Sequence, residues 1–181
     1  MTYPTFNSGD VLTAAEMNAV GCWLVKSQVV GTGVATIDVT SAFSSDYQNY
    51  RVTYSGGVGS TNANLNMQFG IGLTFTATNY FGGLGFINVG GATWQIAANN
   101  GGGSFTAGTQ RTAGANLYLE IQQPNQPADT YAQGPYNRLD NGQIGHTWIL
   151  QSSTNQYTSF RLTTTAGTVT GGTIRVYGYR N

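Results

Sequence analysis

The residues able to do chemistry are few and scattered. Cys22 and His146, the one cysteine and the one histidine, could in principle pair as nucleophile and base. Two lone residues define no motif spacing, however. His146 falls beside Trp148 at the start of an alternating run, where one hydrogen bond satisfies it, and a Ser-His-Asp triad would need the same histidine. Paired carboxylates for glycoside cleavage would have to come from Asp10, Glu16, Asp38, Asp46, Glu120, Asp129 and Asp140, and no two of these share a motif. Glu120 lies opposite the apolar face of a strand, where exposure or pairing with an arginine is expected. No Cys/His cluster and no Asp-rich loop marks a metal site. Gly82-Gly83 and Gly101-Gly102-Gly103 lack the helix and lysine of a phosphate loop. The expectation is a chain without catalytic residues, metal or cofactor.

Binding chemistry is better represented. Tyr, Trp, Asn, Gln and Arg supply stacking area and adaptable hydrogen bonds. Tyr131, Tyr136 and Arg138 fall in one long stretch, residues 123–145, which also holds Pro124, Pro127 and Pro135. With Trp94 they are the candidate ligand or receptor contacts. The competing reading is that these aromatics pin their own loop to the domain. A second stretch, residues 99–116, is rich in glycine. Both are read as long loops, which are uncommon in compact domains and often functional.

The elements that must carry these residues are strands. At residues 49–54, Tyr50, Val52 and Tyr54 alternate with Asn49, Arg51 and Thr53, so one face is apolar. The polar turn before it, flanked by Phe43 and Tyr47, sets the strand's entry. Leu65, Met67, Phe69 and Ile71 alternate in the same way, as do Leu117, Leu119 and Ile121, and Ile174 with Val176. Further strands are expected at residues 23–30, 34–39, 79–88, 93–97, 146–150 and 157–163. That pattern predicts an all-β fold, an antiparallel β-sandwich of jelly-roll type spanning residues 23–181.

Residues 1–22 differ. Pro4 and the cluster Asn7-Ser8-Gly9-Asp10 suggest an extended arm. Thr13 and Glu16 then stand at capping-box spacing, with Leu12 and Met17 at the hydrophobic-staple positions. A short helix ending near Gly21 is predicted. Two turns are marginal alone, so this helix must pack on its own domain or on a partner. Phe6, Leu12, Thr13, Glu16 and Met17 are the candidate attachment residues.

Composition narrows the function classes. Only 8% of the 181 residues are charged, against about 25% in ordinary soluble domains. The abundance of aromatics, 12%, argues against disorder. Seven basic residues balance seven acidic ones, so no basic stripe is available for nucleic acid. No apolar run approaches the ~20 residues of a membrane-spanning helix. No signal peptide and no disulfide framework are expected. A neutral surface gives little repulsion between copies and suits a subunit packed against others.

Three stretches, residues 6–18 (FNSGDVLTAAEMN), 43–52 (FSSDYQNYRV) and 172–179 (GTIRVYGY), together resemble a family of tailed-bacteriophage virion proteins, the minor tail and tail-fibre-like proteins. The resemblance implies a non-enzymatic structural protein on a phage particle, a homotrimer, and carries over no catalytic residue. With no collagen-like repeat or long coiled coil, it points to a short appendage. Its N-terminal arm would join other virion proteins, and its loops would meet a host surface glycan or protein. A capsid decoration protein and a polysaccharide-degrading tail enzyme are the alternatives. The helix is testable alone: Thr13→Ala is expected to cost about 1 kcal/mol through loss of the cap. An unchanged denaturant midpoint would show that Thr13 caps nothing.

Overall fold

The computed structural model describes residues 9, 21–91, 93–138, 140 and 142–179. The arm and helix expected over residues 1–20, with Phe6, Leu12, Thr13, Glu16 and Met17, lie outside the described residues. Every regular element within them is a β-strand. In chain order these are β1 (Cys22–Val29), β2 (Thr36–Val39), β3 (Asn49–Ser55), β4 (Val58–Gly59), β5 (Ala63–Ile71), β6 (Thr74–Phe75), β7 (Tyr80–Asn88) and β8 (Trp94–Gly102). There follow β9 (Phe105–Gln110), β10 (Asn116–Gln122), β11 (Thr130–Arg138), β12 (Gln143–Gln151), β13 (Ser159–Thr164), β14 (Val169–Thr170) and β15 (Thr173–Tyr179). The fold is all-β and every pairing is antiparallel.

Thirteen strands form one branched sheet, and β4 pairs separately with β14. One run of neighbours reads β1-β15-β3-β10-β11-β12-β7-β8. A second reads β2-β13-β5-β9, with β6 folded onto β5. The two meet at β10. One edge of β10 pairs with β3 along residues 117–122; the other is divided, with Asn116 and Leu117 on β9 and residues 120–122 on β11. At the division a side chain on Gly134 of β11 would run into the Tyr118 carbonyl oxygen, so glycine is required there.

Alternation decides which way each strand faces. Tyr50, Val52 and Tyr54 of β3, Leu65, Met67 and Phe69 of β5, Leu117, Leu119 and Ile121 of β10, and Ile174 and Val176 of β15 are all buried. These inner faces, from both runs of strands, share one apolar core. At its centre the Phe69 ring lies 5.5 Å from Tyr157, 5.7 Å from Phe105 and 6.1 Å from Tyr80. The turn before β3 closes one end, as its two aromatics led one to expect. Phe43 meets Tyr50 edge-on at 4.9 Å, and the Tyr50 hydroxyl donates to the Ser44 carbonyl and accepts from the Ser44 amide, each at 2.7 Å.

The two expected long loops are largely strand, and this corrects the placement of the candidate contacts. Residues 99–116 hold the end of β8 and all of β9. Residues 123–145 hold β11 and the start of β12. Ala107, Thr109, Ala132 and Thr130 fill inner positions that larger apolar residues occupy elsewhere, so composition hid the period. Pro135 is tolerated because β10 has already left β11 at that point, leaving an open edge.

The core is unusual in how many phenols it buries. Burial raises the pKa of Tyr50, Tyr54, Tyr80 and Tyr136 above the ordinary 10.0. The folded state therefore holds these protons more tightly than the unfolded chain. The stability this represents is complete below the unfolded value and is lost as pH rises past it. Denaturant midpoints are expected to hold up to pH 10.0 and to fall above it, together with the appearance of phenolate absorbance. A midpoint insensitive to alkali would contradict this.

Candidate functional site

The outer face of the eight-strand run carries two different chemistries. Strand partners share a face, so the pairings place its side chains in rows. At the β3–β10–β15 end the row is charged and phenolic. Glu120 accepts 2.7 Å bonds from both Nε and an Nη of Arg51, 2.8 Å from the Tyr118 hydroxyl and 3.1 Å from that of Tyr179. Arg51 lies over the Tyr118 and Tyr179 rings. The hydrogen bond to Glu120 raises the pKa of Tyr118 and of Arg51; Tyr179 is raised by burial first and by Glu120 second.

Beyond Glu120 the face turns apolar. One row runs Tyr131, Leu150, Phe81 and Asn100 across β11, β12, β7 and β8. The next runs Gln133, Trp148, Gly83 and Ala98; the third Pro135, His146, Gly85 and Ile96; the fourth Asn137, Ile144, Ile87 and Trp94. Trp94, Ile96, Tyr131 and Trp148 are 52%, 63%, 47% and 38% exposed. The glycines form the floor. A Cβ on Gly85 would stand 2.5 Å from ring atoms of both Trp94 and Trp148, so the two indoles meet over a bare backbone. His146 stacks beside Trp148 at 6.4 Å. Where Phe81, Tyr131, Trp148 and Leu150 converge beside Glu120, Gln122 and Gln133, they line a groove of about 460 Å³.

The four candidate contacts are divided by this geometry. Tyr131 and Trp94 lie on the outer face, at opposite corners of the patch, with Trp148 between them. Tyr136 and Arg138 have the other parity on β11 and point inward. Tyr136 is buried, and its hydroxyl donates to Asn64 at 3.0 Å and Gln143 at 3.3 Å. Arg138 reaches Asp140 at 3.3 Å and the Asn62 carbonyl at 3.4 Å. These two therefore pin β11 to the start of β5 and the residue before it, which corrects their expected place on an outward-facing loop. Trp148, Leu150, Phe81 and Ile96 were missed as contacts. The alternation of Ile144, His146, Trp148 and Leu150 was the available signal.

The catalytic candidates do not converge. Cys22 lies on β1 and His146 on β12, with β15, β3, β10 and β11 between them, a separation of roughly 24 Å across the sheet. Glu120 is taken up by Arg51 and the phenols, and Asp38 by a two-pronged pair with Arg161 at 2.6 and 2.8 Å. Among the described residues no group of His, Cys, Asp and Glu could hold a metal ion. What the face offers is ring surface and free amides, which is binding chemistry.

The glycine floor gives a direct test. Gly85→Ala is expected to lift the ring edges of Trp94 and Trp148 into solvent, shifting indole emission to the red, at a cost of about 1 kcal/mol or less because the atoms that must give way are the outer ring atoms of two exposed side chains. Emission identical to that of the parent would mean the rings do not rest on Gly85. Searches of protein-family models, of curated proteins and of solved structures match this chain to nothing.

Proposed function

We propose that this chain is a non-enzymatic structural protein of a tailed-phage virion, a short receptor-binding appendage that exposes its aromatic sheet face to the host. In this reading the two runs of strands are the layers of a jelly-roll-like β-sandwich, and residues 1–22 fasten it to tail or capsid subunits. The observation that carries the reading is the Tyr131–Trp148–Trp94 face. A contiguous exposed apolar patch of this kind marks an interaction site, and no charged residue interrupts it beyond Glu120. The resemblance of residues 6–18, 43–52 and 172–179 to phage tail proteins supplies the setting.

Assembly as a homotrimer fits the same features. The chain has zero net charge, and β8 is an edge strand of nine residues without a charged side chain. Such edges are normally covered or charged. The decoration reading differs in one respect: the face would then meet capsid subunits.

Deleting residues 1–22 is expected to leave a folded domain that no longer joins particles, and Tyr131→Ala with Trp148→Ala to leave assembly intact and weaken adsorption to cells. Mass spectrometry of purified particles, an adsorption assay and light scattering of the isolated protein read these out. Full incorporation of the shortened chain would remove the arm as anchor. Normal adsorption of the double variant would favour decoration, and a stable monomer would end the trimer. Release of oligosaccharides from host polysaccharide, abolished by Glu120→Gln, would establish the tail-enzyme reading instead.

A further inference from the structure

We infer that the groove between Tyr131, Trp148 and Phe81 binds an uncharged oligosaccharide of the host cell surface. The inference rests on the host-facing reading of the outer sheet face and adds to it the chemical class of ligand.

Size argues for a small ligand over a second copy of the chain. Four strands at ~4.8 Å and four rows at ~6.7 Å make the apolar patch roughly 500 Å². A stable protein interface needs about 800 Å² per partner. The groove's volume of about 460 Å³, by contrast, falls inside the range of small-molecule sites.

Chemistry argues for a sugar. Sugar rings present apolar C–H faces and a rim of hydroxyls. Trp148 and Tyr131 are diagonal neighbours on adjacent strands, so their rings can take two successive C–H faces. Gln133, opposite Trp148, and Gln122, opposite Tyr131, stand at the rim. Both are exposed, and among the described residues neither side-chain amide has a hydrogen-bond partner. Each can donate to and accept from a hydroxyl.

Charge argues for a neutral sugar. Glu120 is the one side chain in the lining that is charged at neutral pH, and Arg51 balances it. An acidic glycan would meet a carboxylate with no free cation to receive it. The Tyr118 and Tyr179 hydroxyls, outside the lining, are already given to Glu120, so the groove keeps the neutral amides of Gln122 and Gln133 as free donors.

The test uses the full chain on a printed array of neutral and uronic-acid-containing oligosaccharides, with the strongest neutral binder then titrated by calorimetry. Neutral oligosaccharides are expected to bind. Trp148→Ala and Gln133→Ala should each weaken binding about tenfold, and Trp148→Phe should recover most of the loss. Val29→Ala, on the outer face of β1 far from the groove, should change nothing. Gln133→Ala removes no internal hydrogen bond, so its loss of affinity cannot be a loss of fold. A blank array, binding confined to the acidic sugars, or full affinity in Trp148→Ala and Gln133→Ala overturns the inference. Cell adsorption separates the two levels. A blank array with poor adsorption by Trp148→Ala particles leaves the host-facing reading standing and assigns the groove to another ligand class. Tenfold weaker sugar binding with normal adsorption supports the ligand class and removes the host-facing role.

Discussion

The divided edge of β10 is the constraint on which the remaining structure depends. A strand with two full-length neighbours continues a single sheet; β10 gives its second edge to β9 at residues 116–117 and to β11 at residues 120–122. From there the two runs of strands diverge and turn their inner faces onto one core. Leu117, Leu119 and Ile121 point into that core from the seam itself. The seam also demands Gly134, because β11 must pass the Tyr118 carbonyl while separating from it. A register slip of one residue in β10 would turn Glu120 inward and Leu119 outward, so the apolar core and the Arg51–Glu120 cluster are fixed by the same pairing.

That coupling explains why the outer face is split in character. Glu120 needs Arg51, and the β3–β10 register sets the two directly opposite. A half-exposed pair of this sort contributes little to stability. Its effect is local: it draws two phenols and a guanidinium together on β3, β10 and β15, while the outer faces of β11, β12, β7 and β8 carry no charged side chain. Solubility on that side must come from Asn, Gln and Gly, which accept water without repelling another neutral surface.

Strands whose inner positions hold large residues were legible in the sequence; strands whose inner positions hold small ones were not. Tyr50, Val52 and Tyr54 announce β3, and Leu65, Met67 and Phe69 announce β5, because the contrast between faces is large. In β9 and β11 large inner residues are few, Phe105 and Tyr136, among the small Ala107, Thr109, Thr130, Ala132 and Gly134, and the contrast is too weak to read. Proline and glycine then read as loop signals. The error mattered for the site, since a loop has no parity. Once residues 130–138 are a strand, Tyr131 and Tyr136 must face opposite ways, and counting from either one places the other. Glu120's arginine and His146's tryptophan were foreseen because each follows from a position within an alternating strand. The core phenols were foreseen for Tyr50 and Tyr54 alone.

The floor of the aromatic face carries the argument one step further. Gly83 and Gly85 sit in outer rows flanked by Trp148 and Ile96, where a β-branched residue would strengthen the strand. Glycine there weakens β7 by removing side-chain packing and adding unfolded-state entropy. The cost is borne at two alternate positions of one strand, both on the outward side. What it provides is depth: indoles from β8 and β12 descend to the backbone at Gly85. Inner glycines of this chain, such as Gly134 and Gly145, are forced by close backbone approach, and so is Gly83, whose Cβ would meet the Ala97 carbonyl oxygen at 2.8 Å. Gly85 is confined by ring tips that could swing aside, so sterics at the backbone do not require it. Its place is explained by the shape of the face it supports: with no side chain on Gly85, the Trp94 and Trp148 rings share one seat on the backbone, and the strand pattern itself sets that seat.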